Sequence, residues 1–186
     1  TAESLEDWKA RYPDHAVVTY VNSSAEVKAL SDICCTSANA ASVVRSLPQR
    51  KILFTPDKNL GHWVAKKVPE KEIVVYDGVC PVHDVVRGAS VERVKHSRPE
   101  AVVIAHPECA PDVIAEADFT GSTSGMIKWV NDNQPSKVLL VTECSMSDNV
   151  AVEAPKVDFV RPCNLCPHMK RITLPKILES LVILKE

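Results

Sequence analysis

Two short segments carry the residues best suited to chemistry, Gly78-Val79-Cys80-Pro81-Val82-His83 and Leu165-Cys166-Pro167-His168-Met169. Cys80 and Cys166 stand 166 − 80 = 86 residues apart, and each is followed by proline and then closely by histidine. Soft thiolates select zinc, copper(I) or an iron–sulfur cluster. Two thiolates are too few for a closed zinc site, so an outside ligand is required. A lone cysteine reads more simply as a small buried hydrophobe; the paired placement and the neighbouring histidines favour metal ligation here. Cys163 and Cys166 also form a CxxC, which alone suggests half a zinc knuckle or a redox pair. No second CxxC completes it, and only Cys166 has a counterpart 86 residues earlier. Cys34, Cys35, Cys109 and Cys144 lack such pairing and are read as core residues or neighbours of a site.

Other polar groups follow apolar runs. In His106-Pro107-Glu108 the proline fixes a bend, and both flanking side chains could enter a cleft. Glu108 suits acid–base work if partly desolvated; alone it could equally be a surface carboxylate beside a capping histidine. His83 reads as a helix-capping group or a proton carrier. Thr36-Ser37 and Ser122-Thr123 are expected at helix starts, where N–H groups and hydroxyls bind carboxylate or phosphate, or serve as ordinary caps. Tyr20 and Asn22 follow the first apolar run and could hydrogen-bond a polar substrate. Trp8, Trp63 and Trp129 show no stacking pattern and are read as packing.

The elements that position these groups repeat. Val17 aligns with Val103, Val27 with Val113, Asp32 with Asp118, Lys51 with Lys137 and Leu53 with Leu139, all at the offset of 86. The expected units are residues 1–98 and 99–186, each ending in a cysteine-bearing loop. In the first, strands are expected at 16–21, 33–35, 51–54 and 73–76, with helices at 5–12, 25–30, 36–47, 59–67 and 82–96. The second repeats the order, with strands at 101–105, 118–120 and 138–141 and a last helix near His168; residues 143–156 give no clear pattern. Strands alternating with helices imply an α/β protein, two pseudo-repeated three-layer α/β/α domains with short parallel sheets. Ligand sites in such folds lie beyond the carboxyl ends of the strands, and two facing units could converge their loops on one cleft.

Composition narrows the function. The 45% hydrophobic content supports a real core, and a net charge of −2 without a basic run of five argues against nucleic acid as the main partner. No apolar stretch approaches the ~18 residues of a membrane span, and no signal peptide is expected within these residues. Seven cysteines fit reduced thiols or metal ligands better than a disulfide framework, so a cytoplasmic location is expected.

Taken together, these stretches resemble quinolinate synthase, the iron–sulfur enzyme of NAD (pyridine nucleotide) biosynthesis. The resemblance is carried by Tyr20-Val21-Asn22-Ser23, Cys35-Thr36-Ser37-Ala38-Asn39-Ala40, Pro56-Asp57-Lys58-Asn59-Leu60-Gly61, the Cys80 segment, His106-Pro107-Glu108-Cys109, Gly121-Ser122-Thr123 and Cys166-Pro167-His168-Met169-Lys170, in family order across most of the chain. It implies three similar α/β/α domains around a pseudo-threefold axis, each supplying one cysteine to a [4Fe–4S] cluster whose open iron acts as a Lewis acid. The implied reaction condenses iminoaspartate (iminosuccinate) with dihydroxyacetone phosphate to quinolinate. Cys80 and Cys166 would be two cluster ligands. Tyr20, Val21, Asn22, Ser37, His106, Pro107, Glu108 and Thr123 would hold iminoaspartate. Glu108 would be the main acid–base group, with His83 and Tyr20 in support. L-aspartate oxidase or aspartate dehydrogenase would supply the imine. The family's first domain is expected to be missing here, with a third equivalent cysteine six places before Thr1, so that the chain alone would be weakly active or inactive. Two other readings are carried: another iron–sulfur or zinc enzyme such as a hydro-lyase, and a non-catalytic α/β binding module.

Overall fold

The computed structural model describes residues 1–160 and 164–184. Cys163, and with it the CxxC reading, lies outside the described residues. The first unit runs α1 (Ala2–Arg11), β1 (Ala16–Tyr20), α2 (Ala25–Ala29), β2 (Ile33–Cys35), α3 (Ala40–Ser46), β3 (Lys51–Thr55), α4 (Lys58–Lys67) and β4 (Glu72–Val75). A one-turn helix α5 (Pro81–Asp84) follows, then α6 (Gly88–Ser97), β5 (Ala101–Ala105), α7 (Pro111–Glu116), β6 (Phe119–Thr120), α8 (Thr123–Asn133), β7 (Lys137–Val141), α9 (Cys144–Glu153), β8 (Asp158–Val160) and α10 (Leu174–Ile183). The strands form two parallel four-stranded sheets, ordered β2-β1-β3-β4 and β6-β5-β7-β8, with helices on both faces. The α/β architecture expected from the alternating pattern is therefore present.

The offset of 86 governs pairing as well as sequence. Val17 pairs with Leu53, and Val103 with Leu139; Val18 pairs with Ile33, and Ile104 with Phe119. Asp32 accepts the Val17 N–H at 2.7 Å, and Asp118 accepts the Val103 N–H at 2.8 Å, so one carboxylate closes the edge of each short strand. The cores match in position where residue types differ. Val44, Leu60 and Val64 pack beneath the first sheet where Val130, Met146 and Val150 pack beneath the second. Each such side chain contributes about 1.5–3 kcal/mol by leaving water, so hydrophobicity and size are held while identity drifts.

The structure differs from the sequence expectation in three places. The helix expected over 82–96 is two helices: α5 ends at Asp84, and the Gly88 N–H that opens α6 is taken by Asp112 Oδ2 at 2.7 Å. That bond and Val91 seat α6 on the second sheet, against Val103 and Val113. The helix expected from Thr36 begins at Ala40, because the Asn39 side chain accepts the Thr36 N–H and hydroxyl in a turn. Residues 144–153, unreadable by pattern, form α9. Among the described residues no helix is long and apolar enough to cross a membrane.

Gly61 looks like a weak point in α4, yet it is what lets that helix approach the sheet. A Cβ there would lie 2.5 Å from Val75 Cγ1 and 3.1 Å from Phe54 Cδ1. Gly61→Ala is expected to destabilise the fold by about 1–3 kcal/mol through overpacking, read as a lower denaturation midpoint in urea, despite alanine's better helix propensity.

Candidate functional site

The strand order reverses at β1 and β3 in one sheet and at β5 and β7 in the other, and ligand crevices open at such switch points. The residues just past those four strands converge. Tyr20 and Asn22 follow β1, Asp57 follows β3, His106 to Glu108 follow β5, and Thr142 and Glu143 follow β7. A cavity of about 320 Å³ is lined by Tyr20, Asn22, His83, His106, Glu108 and Thr123 together with Thr142, Glu143, Met169 and Lys170. A second of about 610 Å³ is lined by Cys80, Cys166, Asp57, Gly78 and His168 and shares Tyr20, Asn22, Glu108 and Met169 with the first. Cys80 and Cys166, one from each repeat unit, thus line one cavity, and Tyr20 and Glu108 line both.

Glu108 lies at the junction and is only 4% exposed. Its Oε2 is 3.2 Å from His106 Nδ1, 3.6 Å from His83 Nδ1 and accepts from the Tyr20 hydroxyl at 3.5 Å. Its carbonyl accepts from the Asn59 side chain of α4 at 3.1 Å, tying the His106-Pro107-Glu108 bend to the first unit. His106 Nε2 is 3.1 Å from Ser37 Oγ. The two imidazoles stack with centroids 4.9 Å apart. His106 Nδ1 also lies 3.4 Å from the Glu108 N–H, so its tautomer decides between accepting that N–H and donating to the Glu108 carboxylate.

His83 is one helical turn from Cys80: Nδ1 is 3.2 Å from Cys80 Sγ, and Nε2 is 3.1 Å from Thr142 Oγ1. Burial, then the neighbouring His106, lowers the His83 pKa to about 4, so the ring is neutral near neutral pH. Burial, reinforced by Glu108, raises the Cys80 thiol to about 11. The same two causes hold the Tyr20 phenol well above its usual value, which keeps it a proton donor.

Two carboxylates hold the cysteine loops, and they are equivalent at the offset of 86. Asp57 caps α4 through the Leu60 N–H at 2.7 Å and takes the Cys80 N–H at 2.8 Å. Glu143 caps α9 through the Ser145 N–H at 2.9 Å and takes the Cys166 N–H at 3.3 Å. Burial raises the Asp57 carboxyl to about 6 against the two N–H groups that favour its ionised form. Asp57→Ala removes the helix cap and the loop tether together. A loss of about 1–2 kcal/mol is expected, measured by thermal unfolding, with Asp57→Asn, which keeps a capping oxygen, milder.

Not every sequence candidate reaches the cavities in the same way. Ser37 touches them through His106. Val21 is 38% exposed and gives its N–H to the Cys35 carbonyl, while Pro107 is buried behind the wall as the bend of its loop. Ser122 caps the eleven-residue α8 through the Gly125 N–H; Ser37 lies before α3 begins, so the two hydroxyl pairs are not equivalent helix starts. Asn59, Thr142, Glu143 and Lys170 were missed. For Glu143 a signal existed, since it falls at the offset from Asp57 with the carboxylate kept and the residue changed. Single Asn, Thr and Lys residues carry no such signal.

The sequence model of the family described as Quinolinate synthetase A protein matches residues 1–186. The chain is 53% identical over 181 residues to Quinolinate synthase 1 of Mesorhizobium japonicum, covering 97% of this chain and 56% of that protein. It is 54% identical over 178 residues to Quinolinate synthase of Sinorhizobium medicae, covering 96% and 49%. Against Quinolinate synthase of Alkaliphilus metalliredigens it is 45% identical over 181 residues, covering 96% and 60%. The chain spans about half the length of the curated relatives it matches.

Proposed function

The chain belongs to the quinolinate synthase family, and on that premise we propose that its joined cavities are where iminoaspartate and dihydroxyacetone phosphate condense to quinolinate, with loss of phosphate and water, in NAD biosynthesis in the cytoplasm. The observation that carries this reading is Glu108, a buried carboxylate on the cavity wall with Tyr20, His83 and His106 around one oxygen. Carbon–carbon bond formation followed by dehydration needs a proton taken from carbon and one given to a departing oxygen. A carboxylate with a neutral imidazole and a phenol beside it can do both.

Both substrates are anions. Lys170 on the cavity wall and the N-terminus of α8, with Thr123 at its first turn, favour a carboxylate there. Asn22 offers an amide to the same space. Ser37 orients His106, and Thr142 orients His83, so neither ring turns away from Glu108. Two soft thiols on one cavity wall, Cys80 and Cys166, fit two of the positions of a [4Fe–4S] cluster. A third thiolate would come from the length of the relatives that this chain does not span. When bound, the cluster supplies Lewis-acid polarisation of a substrate oxygen through its open iron.

The test is a chimera in which this chain replaces the matched segment of the Mesorhizobium relative, reconstituted with iron and sulfide under anaerobic conditions. Quinolinate is expected from the two substrates. A folded chimera carrying a full complement of iron and sulfide that forms none would refute the reading.

A further inference from the structure

We propose that α10 is a docking surface whose face of Leu174, Ile177, Leu181 and Leu184 covers one side of a third parallel α/β sheet, supplied by the length of the relatives that this chain does not span. Two helices of the same kind already cover sheets within the chain. α1, α6 and α10 are each ten residues long and begin at Ala2, Gly88 and Leu174, two successive steps of 86. Leu5 and Trp8 of α1 pack with Val17 and Leu53 of the first sheet and with Val27 of α2. One step on, Val91 and Val94 of α6 pack with Val103 and Leu139 of the second sheet and with Val113 of α7. A polar contact repeats as well: Lys9 Nζ donates to the Leu30 carbonyl at 2.6 Å, and Lys95 Nζ to the Glu116 carbonyl at 2.9 Å. Each of these two helices precedes in sequence the sheet that it covers.

α10 has the length and phase of those helices but no sheet. Ile177 stands where Leu5 and Val91 stand, yet it is 44% exposed where they are 3% and 2% exposed. None of the side chains of α10 is buried. A contiguous exposed apolar surface marks an interaction site, and a helix this apolar belongs against a partner. Both sheets of the chain already carry a covering helix in that place, so neither can receive α10. A second copy offers only the same two sheets, both covered. The match takes up 56% of the Mesorhizobium protein and 49% of the Sinorhizobium one, so what remains of each is longer than one repeat of 86 residues. Leu181 stands where Lys9 and Lys95 stand, so this contact is apolar where the other two add a hydrogen bond. Glu179 stands where Asp7 and Arg93 face solvent, which sets the direction of the buried face. Leu178 replaces Glu6 and Glu92 and widens that face at its rim. The inference rests on the repeat and not on the reaction.

The experiment compares the 186-residue chain with the chimera described above, both checked for folding by circular dichroism. It needs no activity, so its failure is distinct from failure of the quinolinate reading. Ile177→Cys and Glu179→Cys are made singly in each protein and pulse-labelled with N-ethylmaleimide, and labelling at the substituted position is read by peptide mass analysis. Position 177 is expected to label about tenfold or more slower in the chimera than in the chain alone, and position 179 at similar rates in both. Equal rates at position 177, or position 179 protected as strongly as position 177, would overturn the proposal. Slow labelling of position 177 in the 186-residue chain itself would overturn it too, and a dimer in sedimentation would then assign the face to a second copy. In the unsubstituted proteins, amide hydrogen exchange over Leu174–Ile183 should slow in the chimera. Unchanged exchange there would contradict the docking without any variant having to fold.

Discussion

Glu108→Gln is expected to lower the rate of quinolinate formation in the reconstituted chimera by about 10²–10⁴-fold, while the protein stays folded. Glutamine keeps the volume of the buried side chain and an acceptor for the Tyr20 hydroxyl, but cannot take up and return a proton. The carboxylate is 4% exposed, so solvent has little access with which to replace it. The loss should therefore fall mainly on kcat, with KM much less affected. The measurement is the initial rate of quinolinate release, alongside iron content and circular dichroism. A variant within a few-fold of the parent rate would remove Glu108 from the chemistry and leave it a structural carboxylate beside two histidines.

Cys80→Ser and Cys166→Ser, each alone, are expected to abolish the brown cluster chromophore of the chimera and the activity with it. Serine is near in size to cysteine but is a hard, weakly acidic ligand that does not replace a thiolate on iron. Both loops are held from behind by the Asp57 and Glu143 carboxylates, so each substitution should leave its loop in place and remove only the ligand. Iron and acid-labile sulfide per chain, with the visible spectrum, check this. Retention of the chromophore in either variant would remove that cysteine from the cluster.

Much of the fold was legible in the sequence because apolar runs of four or five residues, bounded by turn residues, mark buried parallel strands, and one spacing recurred through the chain. The two sheets share equivalent registers at that spacing, as the Asp32 and Asp118 bonds show. What stayed hidden was equivalence without identity. Leu60, Val64 and Val68 correspond to Met146, Val150 and Ala154, so α9 was recoverable from its counterpart α4, although its own polar content obscures its period. The break between α5 and α6 depends on Asp112, a residue distant in sequence that local propensity cannot weigh. In the site, the cysteines and the His106-Pro107-Glu108 bend stood out by residue type and by position after strands. Of the residues that orient them, Asn59 and Thr142 are common polar types whose role exists only where the two units meet, whereas Glu143 acts within its own unit and was recoverable from its counterpart Asp57.

The account depends on the thiols of the two repeat units meeting at one cavity, and bridging them covalently tests that most directly. In a Cys163→Ser background, a short bis-alkylating thiol reagent followed by peptide mass analysis should yield a Cys80–Cys166 cross-link as the main bridged product. Single adducts on both cysteines with no peptide joining them would contradict it.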